Sequence, residues 1–412
     1  MIVLQVLDFI LYWSIVIMPF AVAIAPALAN IFIGLFCISF IILKLLKKER
    51  LFRNTKILLS FGLLIAISLF SFINSVSLST SVHGISKLLK FLLIFVVCSE
   101  GIEDRKHLKR IIFSVCCGTT LLSIDAIWQS FFGFDFVRGA ALHHQIGLPR
   151  ASASFPNPNL LGIYMSSFTP LVAGLAILYF KGKKRLFMSG LSVLALIGLF
   201  LTFSRGAGLA TYLAILFLCI SGKKKLLISI LLAVLIVFPF VMPKDIKKWA
   251  KEVNYNPVVF MLNQDRISIY SNTVNMIKHH PFIGVGVNTF SKNYGKYKTE
   301  EAEKYASTPD TIYSHNIYLQ MAGETGLLGL GAFFIFLFLI FKNAWNTYFN
   351  LKNEFLRAVC LSLIACLFAF LVNGLTETSL YNSRVAMIFW YLIGISLSLK
   401  RLGKGAQTQS SI

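Results

Sequence analysis

The chain has 412 residues, of which 57% are hydrophobic and only 14% are charged, whereas a soluble domain carries roughly 25% charge. Its mean hydropathy is +0.75. The apolar residues gather in runs of about 20, the length at which a helix crosses a hydrocarbon core about 30 Å thick. This composition excludes an ordinary soluble domain and predicts an all-α polytopic membrane protein.

The net charge of +22 raises the possibility of a nucleic-acid partner, but the positions of the basic residues argue against it. Lysine and arginine lie in short clusters between the apolar runs, which is the pattern of short cytoplasmic loops. We therefore expect membrane lipids as partners and no nucleic acid. The clusters are 44–56, 105–110, 181–185, 223–225, 342–352 and 400–404.

The apolar runs predict about twelve transmembrane helices. The first two fall within residues 1–46 and turn near Pro26, with no cleaved signal peptide. The other ten lie at about 57–74, 84–99, 108–131, 158–180, 186–203, 206–221, 225–242, 315–341, 355–374 and 382–400.

Threading these spans alternately through a membrane, with both termini in the cytoplasm, places every basic cluster on the cytoplasmic side. The opposite side receives residues 75–83 and 133–157, the short turn at Arg205, the turn 375–381 and one long polar loop, 243–314. We predict a single transmembrane domain over residues 1–412, with that loop inserted between spans nine and ten. Within the loop, helical spacing of apolar side chains predicts a helix from Asp265, its N-cap, to Lys278.

Three polar side chains on the outer side form a candidate catalytic set: Arg205, Arg266 and His315. Arginine binds phosphate oxygens through two parallel hydrogen bonds and keeps its charge. Histidine accepts a proton near neutral pH. A diphosphate leaving group displaced by a hydroxyl needs both functions, charge stabilisation at the phosphates and a base at the nucleophile.

Each of these residues also has a simpler interpretation. Arg205 could simply anchor a span at the membrane interface. Arg266 could be an ordinary surface charge, and His315 could contact lipid headgroups. Asp125, inside a span, fits a proton relay, but no partner for it is evident. No His and carboxylate spacing indicates a metal site, and no glycine motif indicates a nucleotide. We predict neither a metal nor a cofactor.

The clearest motif is the run Ser314-His315-Asn316 followed by Gly326 and Gly329. It resembles the signature of bacterial O-antigen ligases, in which a His-Asn pair precedes Gly-x-x-Gly. Three further elements on the same membrane side resemble parts of that family, the first of them shared with O-antigen polymerases. They are Arg150 with residues 154–159, Arg205 with Leu209, and Asp265-Arg266 with residues 281–290.

This resemblance implies a metal-independent inverting glycosyltransferase of the bacterial inner membrane, with a C-type (GT-C) glycosyltransferase fold. Such enzymes move a glycan from undecaprenyl diphosphate onto lipid A-core at the periplasmic face. By position, Arg205 and Arg266 would bind the diphosphate, with Arg150 and Asn316 completing the substrate-binding set. His315 would act as the general base on the acceptor hydroxyl, or would orient it.

Two alternatives share the donor: an O-antigen polymerase and a protein O-glycosyltransferase. The motif spacing and the single dominant loop favour a ligase. A transporter of lipid-linked glycans belongs to another class, and the scarcity of charge within the spans argues against it. The sequence leaves open the donor sugar, the acceptor, the oligomeric state, and whether Arg150, Asp125 or Glu377 contribute to the site.

Overall fold

The computed structural model describes residues 2–145, 148–241, 244–299 and 313–408. The part of the predicted loop between residues 300 and 312 lies outside the described residues, as do residues 242 and 243. The structure is 79% helical.

Fifteen α-helices and one two-stranded hairpin make up the regular elements of the described residues. The helices are α1 Ile2–Ile24, α2 Pro26–Leu46, α3 Thr55–Phe70, α4 Leu78–Gly101, α5 Arg105–Phe132, α6 Pro158–Leu178, α7 Gly182–Phe200, α8 Arg205–Ser221, α9 Lys225–Val241, α10 Lys244–Glu252, α11 Pro257–His279, α12 Phe290–Asn293, α13 Ile317–Asn350, α14 Glu354–Asn373 and α15 Ser383–Thr408. The antiparallel strands are β1 His143–Gln145 and β2 Leu148–Arg150, and short 3-10 turns cover Ser71–Asn74 and Tyr294–Tyr297.

Within the described residues, nine helices, α1 to α6 and α13 to α15, are long and apolar enough to cross a membrane. Helices α8 and α9 are apolar but have only 17 residues each, and α7 begins with the basic run 183–185. Each of the twelve predicted spans therefore corresponds to a helix. The all-α polytopic class is confirmed, and the number of spans that cross the membrane stays a prediction.

The best-buried helices, α6, α14 and α15, form the centre of the bundle. Beside them, four aromatic rings from α3, α4, α13 and α15 meet: those of Phe61, Phe95, Phe336 and Trp390. Every pair of these rings has centroids between 5.2 and 6.1 Å apart. Contacts of this kind contribute about 0.5–1.5 kcal/mol each beyond the area they bury, so they fix how the four helices pack.

Helix α13, which carries the His-Asn motif at its start, is broken at Gly326, where φ is +69°. Residues 281–286 lie along the break. Their amides donate to the carbonyls of Gly323 and Glu324 at 3.0 and 2.9 Å, and their carbonyls accept from the amides of residues 327 and 328 at 2.7 and 3.3 Å. The loop thus supplies the partners that the interrupted helix lacks, which buried backbone requires.

Substituting Gly326 with alanine is expected to lower the free energy of unfolding by at least about 2 kcal/mol. The left-handed φ disfavours a side chain, and a Cβ atom there would overlap the carbonyl of Phe282. Thermal unfolding of the purified protein in detergent measures the effect. Gly331→Ala is the matched control on the same helix, because no atom lies within 4 Å of a Cβ at that position. Equal stability of the two variants would contradict the proposed role of the break.

Candidate active site

Glu377, in the turn after α14, lies at the centre of a polar cluster. Its Oε1 forms an ion pair with the Arg266 guanidinium and accepts a hydrogen bond from Asn159 Nδ2 at 2.7 Å. Its Oε2 lies 3.4 Å from His315 Nδ1. The carboxylate therefore joins α11, the start of α13 and the start of α6.

The backbone of the same turn orients the surrounding helices. The carbonyl of Thr376 accepts a hydrogen bond from Arg266 Nη1 at 2.5 Å. The carbonyl of Leu375 accepts from Tyr270 Oη at 2.8 Å and from Asn316 Nδ2 at 3.1 Å. Two predicted site residues, Arg266 and Asn316, are thereby held by the turn that carries Glu377.

His315 is fixed by its own local backbone. Its φ of +51° is uncommon for a residue with a side chain, and such conformations cluster at functional sites. Asn316 caps α13, since its Oδ1 accepts from the amides of residues 318 and 319 at 2.9 and 3.0 Å. Ser314 Oγ donates to the Asn316 carbonyl at 2.6 Å. The Tyr270 hydroxyl shares its one proton between the Leu375 carbonyl and the His315 carbonyl, which lies 3.1 Å from Oη. The imidazole is consequently presented beside Glu377 with about a third of its surface exposed.

Arg205 lies at the first residue of α8 and is covered by the segment that precedes Arg266. Its Nη1 donates to the Phe260 carbonyl, and its Nη2 donates to Asn263 Oδ1 at 2.9 Å. The guanidinium carbon lies 4.4 Å from the centroid of the Trp249 ring. These contacts hold the guanidinium at the end of the bundle that carries Arg266.

The helix that carries Arg266 differs from the sequence prediction at its start. It begins at Pro257 with Asn256 as N-cap, so Asp265 as N-cap was wrong. A kink at Asn263, where φ is +60°, separates its first turns from the predicted part. Because the side chain of Asn263 accepts the hydrogen bond from Arg205, the kink faces a predicted site residue.

Arg150 also joins the cluster. Its Nη2 donates to Asn159 Oδ1 at 2.6 Å, its Nε donates to the Thr202 carbonyl at 2.8 Å, and its Nη1 donates to Gln145. Since Asn159 in turn donates to Glu377, Arg150 is linked to the carboxylate through one side chain.

Asp125 lies elsewhere. Its Oδ1 accepts from the amide of Phe136 at 2.8 Å, and it is not among the residues that line the pocket of the cluster. A contribution of Asp125 to this site is therefore not supported.

The cluster surrounds a small pocket of about 50 Å³ that is lined by Arg150, Arg205, Arg266 and Glu377 among others. Three guanidinium groups and one carboxylate leave a formal charge of +2. Burial raises the pKa of Glu377, but Arg266 and His315 together outweigh it and hold the pKa below its ordinary value. Burial lowers the pKa of Arg150, and Glu377 opposes this. An ionised carboxylate amid surplus positive charge suits an anionic ligand such as a phosphate group.

A metal ion is another kind of ligand that a polar cluster can bind. Among the residues that the structure describes, no group of three or more His, Cys, Asp or Glu side chains is placed to hold a metal ion.

Comparison with known protein families gives a match that covers part of this cluster. Residues 190–334 match the family model described as O-antigen ligase. Over these residues the chain is similar to that family. The resemblance predicted from the motifs is thereby confirmed. No curated protein matches the chain.

The matched region contains Arg205, Arg266, His315 and Asn316. The other members of the cluster, Arg150, Asn159 and Glu377, lie outside it. The sequence left the contribution of Glu377 open, and Asn159 lay within the element 154–159 but was not assigned to the site. The sequence contained only a weak signal for Glu377, because an acidic residue in a turn on the predicted outer side shows no partner until the packing of the helices is known.

Proposed function

We propose that this protein is an O-antigen ligase, which transfers a glycan from undecaprenyl diphosphate to a sugar hydroxyl of lipid A-core. The observation that carries the proposal is the meeting of Arg266 and His315 at Glu377, beside a pocket that Arg150 and Arg205 also line. A cluster with surplus positive charge and an adjacent imidazole has the two functions that displacement of a diphosphate by a hydroxyl requires.

In this proposal, Arg205 and Arg266 bind the diphosphate and Arg150 adds positive charge. The bond between the anomeric carbon and the diphosphate oxygen breaks, and the electron pair leaves with the diphosphate. The acceptor hydroxyl attacks the opposite face of the anomeric carbon, which inverts its configuration. The arginines stabilise the charge that develops on the leaving oxygen.

The proton of the acceptor hydroxyl goes to His315. With Glu377 accepting a hydrogen bond from Nδ1–H, Nε2 carries the lone pair that receives this proton. Glu377 thus orients the ring and stabilises the imidazolium that forms, as carboxylates do in other histidine bases.

The proposed setting is the bacterial inner membrane. The positive-inside rule assigns the basic clusters and both termini to the cytoplasm, so the active site would face the periplasm. We propose twelve spans in a GT-C-type fold, with residues 243–314 as a periplasmic catalytic loop. Its described part contributes Arg266 to the cluster and Asn263 to the contacts of Arg205.

The acceptor is tested by the lipopolysaccharide of a strain that lacks this gene. Lipid A-core without O-chains, together with accumulated lipid-linked polymer, is the result expected for a ligase. Core that carries a single repeat unit would identify a polymerase. Unchanged lipopolysaccharide together with the loss of a glycosylated protein would identify a protein O-glycosyltransferase. Transfer by the purified protein in detergent, without an ion gradient, separates the enzyme from a transporter.

Chelation is expected to leave glycan transfer unchanged, because three guanidinium groups supply the positive charge that a divalent cation provides in other glycosyltransferases. The measurement is the transfer rate of the purified protein with and without EDTA. A magnesium-dependent glycosyltransferase in the same buffer is the control, and its rate should fall. A rate for this protein that falls with EDTA and returns with Mg²⁺ would contradict the arginine-based mechanism.

A further inference from the structure

A second cavity lies at the other end of the bundle. Helix α13 runs for 34 residues and is broken at Gly326, so the part after the break, residues 327–350, by itself spans about 36 Å at 1.5 Å per residue. The first residue of α13, Ile317, lies next to the candidate active site. Its last turns, around residues 339–350, form one wall of a cavity of about 810 Å³ whose other walls come from the start of α3 and the end of α15. The cavity is thus far from Glu377.

The charge of this cavity is one-sided. None of the described residues that line it is an aspartate or a glutamate, and none of its lysines forms an ion pair with a described residue. Amide and hydroxyl groups of four asparagines and Thr347 add polar atoms to the lining. The lysines are Lys56, Lys342, Lys352, Lys400 and Lys404.

A neighbouring cavity of about 250 Å³ shows the contrast. Four basic and four acidic residues line it, and each of the basic ones forms an ion pair, as in Lys44 with Glu49 and Arg401 with Glu100. In the neighbouring cavity, basic residues at the same end of the bundle therefore have acidic partners among the described residues, unlike the five lysines of the first cavity. All five of these lysines are exposed, as in a solvated cluster of the positive-inside kind. Such a cluster does not require, however, that all five surround one concave space that has no acidic residue in its described lining.

Unbalanced lysines around a cavity repel one another, and an anion that enters it relieves this repulsion. The cavity also has an apolar part, formed by Ile57, Leu339 and Leu351. Beyond it, Phe334, Ile335 and other apolar side chains of α13 are exposed, as expected for residues that face lipid. Basic pockets between membrane helices bind the headgroups of anionic lipids. From these observations we propose that the cavity binds the phosphate-bearing headgroup of an anionic membrane lipid.

The lysine ammonium groups contact the phosphate oxygens, and the asparagine side chains donate further hydrogen bonds. The apolar part of the cavity receives the beginning of an acyl chain. A soluble phosphate compound shares only the first of these contacts, which is why the lipid is the assigned source. The proposal is independent of the enzymatic activity.

The test measures lipid binding to the full-length protein in detergent, by native mass spectrometry. Cardiolipin and phosphatidylglycerol are the anionic probes, phosphatidylcholine is the zwitterionic one, and inorganic pyrophosphate is the soluble one. The wild-type protein is expected to retain the anionic lipids in preference to phosphatidylcholine. Pyrophosphate at equal concentration should not displace them.

The triple variant K342Q/K400Q/K404Q is expected to bind the anionic lipids at least about tenfold more weakly, because each lysine near an anionic headgroup contributes about fivefold. The matched control is K181Q/K183Q/K184Q, which removes the same charge from exposed lysines near the start of α7. It should bind as the wild type does. The charge-preserving variant K342R/K400R/K404R should retain binding, which separates loss of charge from loss of folding.

Equal lipid binding by the two glutamine variants would overturn the proposal, since a general charge effect would then explain it. Displacement by pyrophosphate as effective as by the lipids would overturn the assignment of the ligand to a lipid. Weak lipid binding by the arginine variant would also overturn the proposal, because the positive charge of the lysines would then not be the decisive property.

Discussion

Replacement of Arg266 with alanine is expected to reduce glycan transfer about a hundredfold or more, while the protein still folds and inserts. Removing one charged donor from a site of this kind costs about 3 kcal/mol of transition-state stabilisation. Arg266 is placed for that role, because its guanidinium contacts both the Glu377 carboxylate and the Thr376 carbonyl and lines the pocket with Arg150. The rate of transfer from a purified lipid-linked donor measures the effect.

The matched control is Lys278→Ala on the same helix, where the lysine is exposed. It should transfer at the wild-type rate. Arg266→Lys is expected to recover only a small part of the activity, since an ammonium group cannot reproduce the planar fork of hydrogen bonds. Normal O-chain display by the alanine variant would remove Arg266 from the proposed site.

Glu377→Gln is the second variant with a large expected effect. Glutamine has nearly the same shape, but it carries no charge for Arg266 or for a protonated His315. The ion pair that positions Arg266 is lost, and the single amide oxygen cannot accept hydrogen bonds from both Arg266 and the imidazole. We expect a loss of about a hundredfold or more in the rate of transfer, similar to that for a misoriented histidine base. Glu252→Gln, at an exposed glutamate at the end of α10, is the control.

The pH dependence of stability gives an independent readout for the same variant. The pKa of Glu377 is lowered in the folded protein, whereas an unfolded glutamate titrates near about 4.3. The carboxylate therefore contributes stability that is fully present above that value and is lost as the pH falls through the folded pKa. The wild-type protein should exceed the variant in thermal stability at pH 7, and the difference should shrink below about pH 4. A difference that does not depend on pH would show that Glu377 is not ionised in its ion pair.

The sequence predicted the helices well and their ends less well. Long apolar runs have only one way to satisfy their backbone in a membrane, which is to form helices, so each predicted span corresponds to a helix of the structure. The part of α11 before the kink at Asn263 was not predicted, and the side chain at this kink contacts Arg205, 58 residues away. Periodicity reports on neighbours along one helix and carries no information about such a contact.

By itself, the sequence determined that the protein is helical and polytopic, that its basic residues gather in short loops, and that a His-Asn motif opens one helix. These features follow from local composition and spacing. Only the tertiary structure decided that Glu377 links Arg266 and His315, 111 and 62 residues away, and that Asn159, 218 residues away, completes the link to Arg150. Hydrogen bonds and ion pairs between distant segments depend on how the helices pack, and packing is set by the shapes of all the faces together rather than by any one stretch of sequence.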